Sequence, residues 1–334
     1  MSLMVKYKTI IIGSGIAGST LAYELNKRNG EYLILTDKKN PLCNTTSLSY
    51  GHFRVPDKNF KEGCLNVGIR YEKINQIESN KEMVVDFLDE LDLEYKEKSF
   101  GLIVNSKNKN VRGGLVLLSR IQKDLEIETK NLVHSFKETQ KGITLYTSNG
   151  IYDCENLVLA IGGMGGSFSR TNNVRYSSYG LHKNYEIYQR NNGSLFYHPF
   201  GINQGRDILI GSDVSNGEFI NSENKPIFSG KFRNEIKNDD YHENFQDILD
   251  VINNLYSYGE KVFFSDSNSK IEIFPTVHYT NGGFDTNLES KIKGFNNIYS
   301  IGECEVDGNL RNGRLPGYAL TKSVINAKLL GYKL

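Results

Sequence analysis

Neither sign of charge is in excess in these 334 residues: 40 Lys and Arg face 39 Asp and Glu, a formal net charge of +1. That balance, with no long basic run, argues against a nucleic-acid partner. The fragment "KNKNVRG" reads as a polar loop. No apolar run approaches the roughly 20 residues that a membrane-crossing helix needs. The first apolar segment, "TIIIGSGIAGSTLAYEL", is broken by three glycines and lacks a signal-peptide cleavage pattern. Four cysteines (Cys43, Cys64, Cys154 and Cys304) lie far apart with no C-x-x-C pair, so neither a metal site nor an iron–sulfur cluster is expected. Reduced, mostly buried thiols in a cytoplasmic protein are the expectation. Internal repeats and low-complexity tracts are also missing.

What is present is a globular composition, 38% hydrophobic and 24% charged, in a chain long enough for one large or two intergrown domains. "YKTIIIGSGIAGSTLAYELNKRNGEYLILTDKK" reads as strand, tight turn, helix, strand. Gly13, Gly15 and Gly18 stand in G-x-G-x-x-G spacing between the apolar run 9–12 and the helix. Gly13 makes the turn, Gly15 lets a pyrophosphate approach the backbone, and Gly18 brings helix and strand together. The helix N-terminus offers unpaired N–H groups to the phosphates. Asp37, 19 residues after Gly18, stands near where an acid holds a ribose hydroxyl; Thr36 is the alternative occupant of the strand end. This motif does not separate FAD from NAD.

Two later segments share its grammar. "YDCENLVLAIGGMGGSF" gives a strand at 156–160 that runs through Ala160 into Gly162 and Gly163. "NIYSIGE" gives a short strand ending at Gly302 and Glu303, followed by a polar loop and a long helix from about Tyr318. Three glycine-tipped strands are expected to converge at the carboxyl edge of one parallel sheet, where ligands bind. The final strand, loop and helix have no place in a simple NAD domain and select FAD. Between them, "VHSFKETQKGITLYTSNGIYDCENLVLAIGG" alternates in three runs split by turn signals, a β-meander. In "FPTVHYTNGG", His278 closes a β-rich run just before two glycines. It reads either as a packed core residue or as a donor facing a ligand.

Taken together, these landmarks resemble the flavoprotein family of L-aspartate oxidase and the flavoprotein subunits of fumarate reductase and succinate dehydrogenase. "NTTSLSYGH" is similar to its Ser/Thr-rich segment after the second strand, and "GCLNVGIRYEKINQIESNKEMVVDFLDELDLEY" to its helical stretch. "LAIGGMGGSFSRTNN", "LFYHPFGI", "PTVHYTNGG" and "NIYSIGE" follow in the family's order over nearly the full length.

The resemblance implies an α/β fold: an FAD-binding, Rossmann-like parallel sheet of the glutathione-reductase type, with a β-meander and a small inserted α+β cap. Its boundaries would be 1–192 plus 277–334 for the FAD domain and 193–276 for the cap. It implies FAD contacts at Thr45, Thr46, Ser47, Gly51, Val133, Gly317, Ala319 and Leu320, beside the glycines, Ala160 and Glu303 above. It implies hydride transfer between flavin and a small (amino) dicarboxylate, most like L-aspartate oxidase. Arg314 falls on the carboxylate-clamping arginine, where a planar guanidinium suits bidentate binding. His198 and His278 fall on two histidines that donate to substrate carboxylates, which favours the donor reading of His278.

Departures from the family matter as well. Gly211, Ser212 and Ser215 replace the cap Thr, Glu and Arg, and the family's acid arginine has only Arg233 and Lys231 as nearest candidates. Thr45 stands where membrane-bound members anchor flavin covalently through histidine, so non-covalent FAD is expected. No obligatory iron–sulfur subunit is expected, because the chain ends with the flavin helix. Another carboxylate or an enoate as substrate, and a decayed flavin-binding site, are the competing readings.

Overall fold

The computed structural model describes residues 5–98, 101–108, 110–174, 181, 194–209, 214, 216–230, 233, 234, 245–308 and 315–334. The chain opens with β1 (Val5–Ile12), α1 (Ile16–Lys27) and β2 (Tyr32–Leu35). A one-turn helix α2 (Thr45–Leu48) and strand β3 (His52–Arg54) follow, then α3 (Phe60–Asn66), α4 (Tyr71–Ser79) and α5 (Glu82–Glu90). Next come β4 (Tyr95–Lys98), β5 (Gly101–Val104), α6 (Gly113–Ile121) and β6 (Ile127–Glu128). The expected meander is β7 (Val133–Thr139), β8 (Gly142–Thr147) and β9 (Gly150–Leu159).

After β9 come β10 (Ser194–Ile202), β11 (Asp207–Ile208), β12 (Glu218–Asn221), α7 (Phe245–Ser257), β13 (Val262–Ser265), β14 (Lys270–Glu272) and β15 (Phe274–Asn281). The chain closes with β16 (Ile298–Ser300) and α8 (Tyr318–Lys333).

Two compact units result. The first holds Met1–Met164, Val174–Ser194 and Asn281–Leu334; the second holds Gly165–Asn173 and Leu195–Thr280.

In the first unit a seven-stranded sheet runs β6-β2-β1-β9-β8-β7, with β16 also on β9. Strand β9 belongs to two neighbourhoods. Its first half pairs antiparallel with β8, and its last three residues pair parallel with β16 while the whole strand lies parallel to β1. The expected strand at 156–160 is the C-terminal part of β9, whose first half is the last run of the expected meander. Both sheet faces are covered, as parallel strands require. Ile10, Ile12, Leu157 and Leu159 face a core shared with the meander, whereas Ile11, Ile34 and Val158 face α1 and α8. Helices α3 to α6 bury a third core around Phe53, Phe60 and Phe87.

Ionic contacts inside this unit are deeply buried. Lys328 of α8 reaches Glu24 of α1 at 2.8 Å, both side chains 2% exposed. Lys73 of α4 meets Glu305 at 2.5 Å, and Lys322 of α8 meets Asp307 at 2.5 Å. Thr286 and Asn326 also donate to Glu305. These bonds fasten the stretch after β16 to α4 and α8.

In the second unit, β11-β10-β15 and β12-β13-β14 form two small sheets. Their core is aromatic: Phe219 stacks on Phe200 at 4.3 Å and meets Phe264 at 5.2 Å.

Candidate functional site

The three glycine-tipped strands end side by side. Register pairs Ile12 of β1 with Leu159 of β9, and Leu159 with Ser300 of β16. Their chains then enter Gly13, Ala160 and Ile301-Gly302, with Ala160 N donating to the Ile12 carbonyl at 2.9 Å.

The fingerprint glycines divide their work. A Cβ at Gly13, where φ is +110°, would sit 2.3 Å from the Ala160 carbonyl oxygen, and one at Gly18 would sit 2.0 Å from the Gly13 oxygen. Both therefore serve close packing of turn, strand and helix. At Gly15 the nearest atom to a Cβ is Thr46 Oγ1, at 3.5 Å, and at Gly162 nothing lies within 4 Å. Neither position is required by close packing, which is what a pyrophosphate approaching the backbone needs. Gly15 is also the N-cap of α1, and its cap has no side-chain hydrogen bond. First-turn amides of a helix have no intrahelical acceptor. Thr46 Oγ1 accepts one of them, Ile16 N–H, at 3.1 Å. The residues present fit a dinucleotide such as FAD.

Sequence reasoning missed the supports of this turn. Asn44 caps α2 by accepting the Ser47 amide at 3.3 Å, and its Nδ2 donates to the carbonyls of Ser14 and Pro41. Gln122 Nε2 donates to the same Ser14 carbonyl at 2.7 Å and to Ser19 Oγ at 3.0 Å. Ser47 Oγ bonds the Leu42 carbonyl. Asn44 stood inside the Ser/Thr-rich segment, whereas nothing local marks Gln122.

At the end of β2, Thr36 is buried and its backbone bonds Glu128 and Asn131, while Asp37 pairs with Lys38 at 3.4 Å. Val133 is a buried residue opening β7. The Thr45 hydroxyl accepts the Val174 amide at 3.4 Å.

On the far side of the strand ends, Gly302 (φ +81°) begins a tight turn that includes the half-buried Glu303. A Cβ there would come within 2.9 Å of Ala17 Cβ, so the turn lies against the start of α1. Gly317, left-handed at φ +75°, is the N-cap of α8, and a Cβ there would meet Arg54 N at 2.5 Å. Tyr318 N donates to the Leu315 carbonyl, which leaves Ala319 and Leu320 as the next two first-turn amides. Gly51 (φ +76°) packs against Gly113. Gly283 owes its identity to packing: a Cβ there would be 2.0 Å from the Cys304 oxygen.

Electrostatics behind the turn are set by the buried ionic group. Burial alone would raise the Glu305 carboxyl, but Lys322 and Lys73 outweigh it and hold that carboxyl below its usual range. For Asp307 burial prevails over Lys322 and the carboxyl is pushed up. Lys322 itself is raised, because Asp307 and Glu305 outweigh burial.

In the second unit, His198 of β10 and His278 of β15 stand on neighbouring strands, ring centroids 5.8 Å apart and planes at 71°. His198 is 4% exposed, and its Nδ1 accepts the Phe200 amide at 3.2 Å. In the neutral ring that assigns the proton to Nε2. His278 is half-buried with Phe196 edge-on at 6.1 Å. Its Nδ1 lies 3.0 Å from Asn172 Nδ2 and 3.1 Å from Asn172 Oδ1. Asn173 Nδ2 bonds the backbone carbonyls of Val277 and His278, and Thr171 Oγ1 bonds that of Val277, so 171–173 clamps the strand carrying His278. Nothing in the "SRTNN" stretch marks Asn172 for this place.

Arg314 lies outside the described residues, as do Gly211, Ser212, Ser215 and Lys231. Arg233 is described and pairs with Glu218. Among the described residues no group of three or more His, Cys, Asp or Glu is placed to hold a metal, and no helix is long and apolar enough to cross a membrane.

No family model and no curated protein sequence matches the chain. Solved structures do. A mutant of the E. coli quinol fumarate reductase FrdA matches with a TM-score of 0.77 at 15% identity, over 99% of this chain and 70% of that one. The Mycobacterium smegmatis Sdh1 complex in the apo form matches with a TM-score of 0.74 at 14% identity, over 98% and 68%. The 3-ketosteroid delta1-dehydrogenase of Sterolibacterium denitrificans, in complex with 1,4-androstadiene-3,17-dione, matches at 0.69 and 8%, over 98% and 99%. The class is therefore a mixed α/β fold with a parallel sheet, a meander and strand-rich additions. Within it, the chain carries the fold seen in the fumarate reductase and Sdh1 structures, in agreement with the resemblance of its motifs.

Proposed function

We propose that this chain is an FAD-dependent oxidoreductase that moves a hydride between a small (amino) dicarboxylate and flavin, most like L-aspartate oxidase. One observation carries the reading: β1, β9 and β16 end level with one another in glycine turns, and neither Gly15 nor Gly162 is required by close packing. FAD, when bound, supplies the ring that accepts the hydride. The α1 amides and Gly15 would hold its pyrophosphate, with Thr46 fixing the turn. Ala319 and Leu320, at the positive end of α8, would favour negative charge placed beside them. Thr45 offers a hydroxyl instead of an imidazole, so the cofactor is held without a covalent bond.

The acid is gripped by Arg314 and by His198 Nε2–H, with His278 as the second imidazole. Each donor restrains the carboxylate so that a carbon–hydrogen bond, rather than the charged end, meets the acceptor.

The test is anaerobic. The purified protein should be yellow, release all its flavin on acid precipitation, and bleach with L-aspartate. Arg314→Ala should raise KM and slow flavin reduction; an unchanged rate, or a colourless protein that takes up no FAD, refutes the reading. A second reading, a different substrate on the same flavin scaffold, is favoured by the match over almost both full lengths to a dehydrogenase crystallised with a steroid dione. Bleaching by succinate, a hydroxy acid or an enone, with aspartate inert, selects it. Flavin that no member of the panel reduces marks a binding protein without turnover.

A further inference from the structure

Ser14 stands between Gly13 and Gly15, and its carbonyl oxygen receives three side-chain donors. Ser19 Oγ reaches it from α1 at 3.0 Å, Asn44 Nδ2 from the cap of α2 at 3.2 Å, and Gln122 Nε2 from the end of α6 at 2.7 Å. A carbonyl only accepts, so the end that each amide turns to Ser14 is its nitrogen. The Ser14 hydroxyl is tied as well, donating to the Pro41 carbonyl at 2.9 Å. A trans peptide sends its carbonyl and the following N–H in opposite directions. No cis peptide bond occurs among the described residues. The three donors therefore fix where the Gly15 N–H points, away from Ser19 Oγ, Asn44 and Gln122. Among the described residues no acceptor meets that N–H, whereas the next amide, Ile16 N–H, is taken by Thr46 Oγ1 at 3.1 Å.

We propose that Gln122 is a positioning residue for the pyrophosphate: by donating to the Ser14 carbonyl it holds the Ser14–Gly15 peptide so that the Gly15 N–H is presented to a phosphate oxygen. Its Oε1 is buried without a hydrogen bond, so this side chain serves the fold through its nitrogen alone. A buried acceptor left unpaired lowers stability, and Ser14 already has two other donors. An amide kept there against that penalty points to a demand on the turn itself. Helix α6 is suited to the task because its other end packs on the second support of the turn. Gly114 N donates to the Ser49 carbonyl at 3.1 Å, and a Cβ at Gly114 would lie 2.0 Å from the Thr46 carbonyl oxygen. One helix thus sets both Thr46, which takes the Ile16 amide, and Ser14, which aims the Gly15 amide. A looser turn would have to be ordered as the anion arrives, and that ordering weakens binding. This role deepens the FAD reading and rests on it.

Two readouts on the full chain test it. FAD release from the holoprotein on dilution, followed by flavin fluorescence, should be about tenfold faster in Gln122→Met than in wild type. In a Gly15→Ala background the same substitution should change nothing further, because the methyl already keeps the phosphate from the backbone. Labelling with 13C-carbonyl serine and 15N-glycine gives correlations from the Ser–Gly steps, Ser14-Gly15 and Ser229-Gly230, and Gly15→Ala removes the first. FAD should move the Gly15 amide proton downfield, and Gln122→Met should move the Ser14 carbonyl carbon upfield. Asn44→Ser keeps an acceptor for the Ser47 amide but loses the reach to Ser14. It should speed FAD release as well, which decides the matter even if Gln122→Met does not fold. Unchanged release in these variants, equal acceleration with and without the Gly15 methyl, or a Gly15 amide unmoved by FAD overturns the proposal. A wild type that takes up no FAD refutes both this role and the function. Flavin that is bound but bleached by no acid refutes the hydride reading alone, and the positioning role is then decided by the release rates.

Discussion

Lys73 and Glu305 meet at 2.5 Å with side chains 3% and 0% exposed, joining α4 to the chain just beyond the Gly302 turn. A buried pair of this kind is weak proof of net stability, but removal of one partner leaves a charge with no water around it. Lys73→Met should therefore cost about 3–5 kcal/mol in a denaturant titration, as losses of single buried partners do. A cost under about 1 kcal/mol, the range of an exposed pair, would contradict the burial described here.

The glycines of the first turn should separate by phenotype. Gly13→Ala places a methyl against the Ala160 carbonyl at a left-handed φ and should prevent folding. Gly15→Ala has room and should fold with near-native thermal stability. It should nonetheless bind FAD at least about tenfold more weakly, about 1.4 kcal/mol, because the methyl stands where a phosphate approaches. Equilibrium dialysis checks both; full FAD affinity in Gly15→Ala would remove Gly15 from the binding surface.

His52 carries a pH signature. Burial, helped by Lys98, lowers its imidazole from 6.5 to about 4. The unfolded chain binds the proton first, so the contribution is complete above about pH 6.5 and is lost as pH falls through about 4. The full span corresponds to about 3 kcal/mol. His52→Gln should lack this component, and its stability relative to wild type should rise between pH 7 and pH 4.5. A difference that does not change over that range rules the assignment out.

Thiol reactivity should be sharply divided. Cys43 is exposed, whereas Cys64, Cys154 and Cys304 are buried, and burial pushes the thiols of Cys64 and Cys154 up to about 12. An aromatic disulfide reagent should label Cys43 promptly in the native protein and the other three only after unfolding. Rapid labelling of Cys304 would show that the turn beside it opens.

Substitution of His198 should act on the acid alone. His198→Phe removes the fixed Nε2–H but keeps an aromatic ring against Phe200. Flavin retention should be unchanged while KM for the acid rises about tenfold, the loss of a hydrogen bond to a charged group. Release of flavin instead would make His198 a structural residue.

Much of this was legible because chemistry and chain geometry coincide locally. The spacing of Gly13 and Gly18 anticipates the close packing found there, and the alternation of 133–159 could form little other than a meander. The helix from Tyr318 began where expected. Contacts closed by the fold were not legible. Lys73 sits in a helix with glutamates in its first and last turns and reads as solvated until Glu305, 232 positions away, arrives beside it. Asn172 is 106 positions from His278, and no local pattern announces an amide beside that ring. Gln122 likewise acquires its role from Ser14, 108 positions earlier.

Because β9 is held on one side by β8 along its first half and by β16 along its last three residues, the hairpins and the glycine turn share a single rod. Amide protons of 157–159 should be among the last to exchange with deuterium, and any event that peels the hairpins away should release the 160–163 loop in the same cooperative step.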